Sequence, residues 1–342
     1  MNRRRYRTAV IGFGKVAAEY ADDPVMALHY PMATHAQALT AHPSFEWWAV
    51  VDPRPESRCL AQTRWDVAFA FASVKELAQA GGTEVAVLAT PPEARLEAIE
   101  LLPGLRAVIV EKPLGRTIEE AKAFVEACRR RGILIQVNYW RRADDDFRQL
   151  ASGGLAIMVG SPQAVFGVYG NGLRNNGSHM IDFCRMLFGE IVIAEALGGI
   201  VRRRTAPVAG DIDVPFSLTF ESRLCAMFQP VDFADYRENG LDIWGKKGRL
   251  QILQEGLLTL HAPMRAHRAM HGEREIASDA AEIHTSSVGH AFRRLYDHTA
   301  EMLDNGTIAV SPPDSALRTE AVVEAIFASV ESIGSRHGSL IE

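Results

Sequence analysis

The chain has 342 residues, 47% of them hydrophobic and 23% charged, with a formal net charge of -5. That length suits two domains, the composition is globular, and no apolar run reaches the ~18 residues of a bilayer-spanning helix. The mildly acidic balance excludes the broad basic footprint of a nucleic-acid binder.

The chain opens on Arg3, Arg4, Arg5 and Arg7. No apolar h-region or small-residue cleavage site follows, so these arginines read as a solvated tail. Tyr6–Ile11 is a predicted strand, and Gly12–Gly14 a turn into a helix starting near Lys15. Further strands are predicted at 45–51, 67–71, 84–89, 107–110 and 133–139, with helical patterns between them. The clearest helix is 118–131, with Gly132 as its stop. Strands that are apolar throughout and alternate with helices imply an α/β domain, a doubly wound parallel sheet covered on both faces. Ligands of such a sheet sit beyond the carboxyl ends of its strands.

After about residue 150 the rhythm changes. The segments 156–169, 191–203, 214–221, 224–230 and 249–253 read as strands, interrupted by a helix at 178–188. Consecutive strands favour antiparallel pairing, so an α+β domain with a mostly antiparallel open sheet is expected. The polar stretch 262–281 reads as a surface loop, and two helices, 290–305 and 314–333, close the chain. The division expected is a dinucleotide-binding domain over 1–140 and a substrate-binding domain over 141–342. The cysteines (Cys59, Cys128, Cys184, Cys225) are scattered without a CxxC pair. Buried thiols at Cys128 and Cys184, no disulfides and a cytoplasmic location are therefore expected. The histidines His29, His35, His284, His290 and His298 show no metal-ligand spacing and read as structural or exposed, so no metal is expected. Trp47 and Trp48 read as core and partner-facing aromatics.

Gly12-Phe13-Gly14-Lys15-Val16-Ala17 is a GxGxxA turn directly after a strand. The first glycine permits the tight turn and the second lets backbone approach a pyrophosphate, while the helix N-terminus attracts its charge. Asp52 ends the second strand, where a carboxylate bonds adenosine ribose hydroxyls. Its spacing from the glycines exceeds the usual ~20 residues, which the insertion Tyr20–Pro31 accounts for. Asp52 would repel a 2′-phosphate and Arg54 would cradle one, so NAD is expected with NADP open. Ala89-Thr90-Pro91-Pro92 and Glu111-Lys112-Pro113 lie at carboxyl ends of strands and would line the cofactor crevice. A lysine there is placed to exchange a proton with a carbinol.

These motifs, with Val50-Val51-Asp52-Pro53, Glu111-Lys112-Pro113-Leu114 and Gly177-Ser178-His179-Met180-Ile181-Asp182, resemble those of one family. It is the glucose-fructose oxidoreductase, inositol dehydrogenase and rhizopine-catabolism group. The resemblance covers about two-thirds of the chain. It implies a Rossmann domain plus an open-sheet domain and reversible oxidation of a secondary alcohol on a sugar, cyclitol or sugar derivative, with Lys112 and His179 catalytic. It also implies a homodimer or homotetramer formed through the second domain's sheet, with neither nucleic acid nor membrane as partner.

Many relatives carry Asp four residues before the histidine, where this chain has Asn175. Asparagine orients a hydroxyl but takes no proton, so Lys112 and His179 must suffice, with Asn175 beside them. Asp182 follows His179 on one helix face; it either fixes the imidazole and meets substrate or serves the helix dipole. Tyr139, Arg141 and Arg142, after Asn138, follow the sixth strand and are candidates for binding substrate or for linking domains. Redox-assisted glycoside cleavage and a non-catalytic NAD(P)-binding regulator stay open beside a dehydrogenase.

Overall fold

The structure, a computed structural model, describes residues 5–205 and 207–337. It divides into two compact units, Met1–Asp144 with Gly289–Leu317, and Asp145–Val288 with Arg318–Glu342.

In the first unit, strands β1 (Tyr6–Ile11), β2 (Phe45–Val51), β3 (Phe69–Phe71), β4 (Val85–Leu88), β5 (Ala107–Val110) and β6 (Leu134–Val137) form one sheet. It is parallel and ordered β3-β2-β1-β4-β5-β6. The order reverses between β1 and β4, which opens a crevice at their carboxyl ends. Every residue of β4 and β5 is buried because helices cover both faces. On one face Leu77, Ile99, Phe124 and Val125 pack on Ile11, Leu88 and Val110. On the other, Ala36, Leu39, Phe292, Leu295 and Tyr296 pack on Val10, Val87 and Ile109.

The domain boundary differs from the expected one, since Gly289–Leu317 returns to the first unit. The helix Ala291–Asn305 carries Phe292, Leu295, Tyr296, Ala300 and Leu303 along one stripe, which the sheet's second face covers. The helix expected from Lys15 is also corrected. It makes one turn, with Ala18 N–H donating to Gly14 O at 2.9 Å, and the insertion then leaves it. His35 N–H and Ala36 N–H take up the carbonyls of Val16 and Ala17 (3.2 and 2.8 Å), and a helix resumes over His35–Ala41. Arg3 and Arg4 lie outside the described residues. Arg5 and Arg7 are not a solvated tail: Arg5 Nη2 donates to Phe45 O at 3.2 Å and the Arg7 guanidinium lies 4.0 Å from the Trp48 ring centre.

The second unit holds β7 (Pro162–Tyr169), β8 (Ile191–Ala196), β9 (Arg202–Arg203), β10 (Ile212–Asp213), β11 (Phe216–Phe220), β12 (Cys225–Pro230), β13 (Gly240–Gly245), β14 (Gly248–Leu253), β15 (Leu258–Ala266), β16 (Arg274–Ile276) and β17 (Glu282–Thr285). Nine of these form a sheet ordered β16-β15-β14-β13-β7-β12-β11-β8, with β17 also paired to β15. It is antiparallel except where β7 runs parallel to β12. Burial alternates along β11, β12 and β14, so one face is core. That face meets the helix Ser178–Phe188, whose Phe188 ring stands 5.5 Å from Phe220.

Two expectations fail here. Residues 155–159 are helical, because a short apolar run fits either period and Gly160, at φ +72°, breaks the chain before β7 begins. The polar stretch 262–281 is largely the β15–β16 hairpin, its Arg and His side chains facing acidic partners such as Glu275. Cys128 and Cys184 are buried, and burial pushes the Cys128 thiol up to about 12. Among the described residues no helix is long and apolar enough to cross a membrane, and no group of three or more His, Cys, Asp or Glu is placed to hold a metal ion.

Candidate active site

Gly12 follows β1 with φ +88°, and a Cβ there would meet Ala89 O at 2.7 Å. The ends of β1 and β4 therefore approach as closely as only glycine permits. Over Gly14 the nearest atom to an added Cβ is Arg54 Nη2, at 3.9 Å, so this backbone is open. Lys15 is exposed and Val16 half-buried.

Asp52 ends β2 as expected, but its carboxylate is fully engaged. Oδ2 accepts from Phe13 N–H (2.8 Å) and Arg54 Nη2 (3.2 Å), and Oδ1 from Arg54 N–H (2.9 Å) and Nε (3.0 Å). Burial opposes ionisation, yet the Arg54 and Phe13 hydrogen bonds outweigh it and hold the carboxyl below its usual range. Arg54 Nη2 also donates to Phe13 O at 3.0 Å, so the guanidinium spans the glycine turn and the strand end.

The loops after β4 and β5 are tied by a residue that sequence reading missed. Arg95 is 2% exposed. Its Nε and Nη2 donate to Thr90 O (3.1 and 2.8 Å) and its Nη1 to Pro113 O. An arginine after Pro91-Pro92 looks like a surface residue, and only the two converging carbonyls give it a place. Pro91 is exposed and Pro92 half-buried at the start of that loop.

Lys112 is half-buried, next to Glu111, whose Oε1 accepts from His35 Nε2 (3.0 Å) and Asn138 Nδ2 (2.5 Å). His35, read from sequence only as structural or exposed, is fully buried. Burial opposes ionisation of Glu111, but His35, Asn138 and the nearby Lys112 charge keep its carboxyl below the usual range. After β6, Tyr139 and Arg141 are buried, with the Arg141 guanidinium 4.3 Å from the Trp140 ring centre, and Arg142 is half-buried.

Asn175 and His179 belong to the second unit. A π-helical turn, Leu173–Gly177, carries Asn175 into the helix that starts at Ser178, with His179 half-buried in its first turn. Two fully buried carboxylates clamp this turn. Asp211 accepts from the N–H groups of Arg174 (2.9 Å) and Asn175 (3.0 Å), and Asp213 from Gly172 N–H (2.8 Å). Arg202 and Arg204 pair with Asp213. Burial pushes the Asp211 carboxyl up despite its backbone partners. Asn175 Nδ2 donates to Asn171 O at 3.1 Å. Asp182 is buried, accepts from Thr319 Oγ1 at 3.1 Å and lies 3.8 Å from Arg185 Nη1, in a polar network of its own unit.

The first unit's residues fit a dinucleotide. Glycine backbone is open over Gly14, and Thr90 Oγ1 and Asn138 Oδ1, past the ends of β4 and β6, are buried without a hydrogen-bond partner. Buried polar atoms are rarely left so unless a ligand or water meets them.

Residues 6–139 match the model of an oxidoreductase family with NAD-binding Rossmann fold (GFO_IDH_MocA), and 169–334 match that family's C-terminal alpha/beta domain. The chain is 27% identical over 202 residues to trans-1,2-dihydrobenzene-1,2-diol dehydrogenase of Oryctolagus cuniculus, covering 54% of this chain and 60% of that protein. It is 27% identical over 154 residues to scyllo-inositol 2-dehydrogenase (NAD(+)) of Bacillus subtilis, covering 40% and 45%. The matches thus span about half the length of these curated relatives. An oxidoreductase from Agrobacterium radiobacter, solved with NAD+, L-tartaric acid and magnesium, superposes with a TM-score of 0.72 at 17% identity, over 97% of this chain and 99% of the other.

Proposed function

This chain belongs to the GFO_IDH_MocA oxidoreductase family, and on that premise we propose that it interconverts a secondary alcohol and a ketone on a polyhydroxylated ring. The observation that carries the reading is Lys112, half-buried at the carboxyl end of β5 beside a Glu111 fixed from two sides. A dinucleotide whose pyrophosphate is held at the glycine turn would supply the hydride acceptor or donor through its nicotinamide. Lys112 Nζ takes the carbinol proton in oxidation and returns it in reduction. Tyr139, Arg141 and Arg142 in the first unit and Asn175 and His179 in the second are each candidates for binding substrate hydroxyls, whereas Asp182 is taken up by Thr319 and Arg185. The named relatives act on ring carbons bearing adjacent hydroxyls, which supports cyclitols and cyclic sugars as the substrate class. A screen of cyclitols, cyclic diols, free sugars and nucleotide sugars with NAD+ and NADP+, read by nicotinamide absorbance, tests it. Turnover of a ring polyol is expected. Cofactor binding with no turnover across the panel would replace this reading with a non-catalytic NAD(P)-binding protein, and cleavage of an aryl glycoside with a redox-assisted glycosidase.

Arg54 governs which cofactor is preferred. With Asp52 neutralised by Arg54, its repulsion of a 2′-phosphate is weakened, and the guanidinium reaches the glycine turn by donating to Phe13 O. In Arg54→Ala the bare carboxylate should weaken NADPH binding relative to NADH by at least tenfold, about 1.4 kcal/mol, in fluorescence titrations. An unchanged ratio would show that Arg54 does not shield Asp52.

The outward face of the nine-stranded sheet supports self-association. Phe166 and Met227 are register partners, 49% and 44% exposed, and Ile283, 67% exposed, lies further along that face. Large apolar side chains exposed on one sheet face suit an interface, here with Asp242 and Gln251 in the register between them, and a second copy of the chain is the proposed occupant. Light scattering should find a dimer or tetramer, and Phe166→Asp with Met227→Asp should yield monomer. A monomeric wild type would end the proposal. The four free thiols, two of them exposed, suit a reducing, cytoplasmic setting.

A further inference from the structure

His35 joins three distant segments of the first unit. Its backbone resumes the helix broken at Val16, its Nε2 meets Glu111 Oε1 at 3.0 Å, and its Nδ1 meets the Tyr296 hydroxyl at 2.7 Å. Tyr296 comes from the late helix that returns to this unit. The ring is fully buried, with Phe292 edge-on at 4.9 Å. An ionised carboxylate only accepts, so Nε2 carries a proton and donates to Glu111, while Nδ1 pairs with the Tyr296 hydroxyl. The bonds link Tyr296 through His35 to Glu111, with Asn138 donating to the same carboxylate oxygen. The titratable groups around Glu111 are His35, Lys112 and, beyond His35, Tyr296.

A fold needs no such chain merely to fill this space. Its members sit at the root of the loop that presents Lys112, and a buried polar network with directed bonds fixes what it touches. We propose that His35 is a positioning residue for Lys112: held by Tyr296, it pins the Glu111 carboxylate and with it the end of β5 that carries Lys112. The inference rests on Lys112 as the proton-transfer group.

The test compares His35→Leu, His35→Gln and Tyr296→Phe with wild type. The glutamine amide donates to Glu111 and accepts from Tyr296, whereas leucine does neither. Three readouts are taken: kcat and KM on a polyol that the wild type oxidises, NADH affinity by fluorescence, and the rate of Lys112 acylation resolved by peptide mass spectrometry. In His35→Leu, kcat should fall by at least about tenfold, the effect of losing a buried hydrogen-bonded partner. KM and NADH affinity should stay within a few-fold, and the rate of Lys112 acylation should depart from wild type as the end of β5 loses its anchor. His35→Gln should restore both, and Tyr296→Phe should fall between. Wild-type acylation rates in His35→Leu, or no rescue by glutamine, would overturn the proposal. If His35→Leu does not fold, Tyr296→Phe decides it, since that variant removes only the hydroxyl. If wild type turns over no polyol, the functional reading fails, and the acylation rates still judge the positioning role on their own.

Discussion

Lys112→Ala is expected to lower kcat by about 10² to 10⁴-fold, the usual share of a positioned proton-transfer group, while NADH binding stays within a few-fold. Lys112 is half-buried at the end of β5, whereas the Gly12 turn and the Asp52–Arg54 pair, the proposed adenosine-side determinants, lie at the ends of β1 and β2. Removing its amine should therefore leave the determinants of cofactor affinity in place. Lys112→Arg separates charge from proton transfer. A guanidinium keeps the positive charge but does not deprotonate in proteins, so this variant should be nearly as slow as the alanine variant. Steady-state rates across pH, with fluorescence titration of NADH, check both. Turnover by Lys112→Ala at the wild-type rate would remove this residue from the mechanism.

Gly12→Ala is expected to weaken NADH binding by about 10²-fold and to destabilise the first unit. The conformation alone costs roughly 1–2 kcal/mol for an L residue, because Gly12 sits at φ +88°. The new Cβ would also stand 2.7 Å from Ala89 O and 2.9 Å from Thr90 Cγ2, so the β1 turn and the β4 end must separate. That separation opens the crevice at the switch point, where the ligand of a doubly wound sheet lies. The stability loss should appear as a lower urea midpoint at unchanged slope. A variant with wild-type midpoint and affinity would show that the close approach at Gly12 is not needed. Gly14→Ala is the contrast: its added methyl meets only Arg54 Nη2 at 3.9 Å, so any loss there would come from the ligand side rather than from the fold.

The sequence by itself determined what local pattern controls. Apolar runs punctuated by helices specify the parallel sheet, since a strand buried on both faces cannot alternate. Gly12, Asp52, Thr90 and Glu111-Lys112 fall at carboxyl ends of strands wherever the strands are correctly found, because chain direction in a parallel sheet is fixed by its crossovers. The tertiary structure decided what depends on partners far along the chain. The sequence shows that the insertion does not continue the helix opened at Lys15, but not that His35 and Ala36 reclaim the carbonyls of Val16 and Ala17 beyond it. Asp52 reads as a free ribose acceptor until Arg54 and Phe13 N–H occupy both oxygens. Arg95 has no visible task until Thr90 and Pro113 bring their carbonyls to it. The helix Ala291–Asn305 carries only an apolar stripe, and nothing in a stripe says which sheet it covers; Tyr296, 261 residues from His35, reaches its ring only because that sheet is the first. Burial makes each of these bonds obligatory, whereas the sequence records only that the donors and acceptors exist.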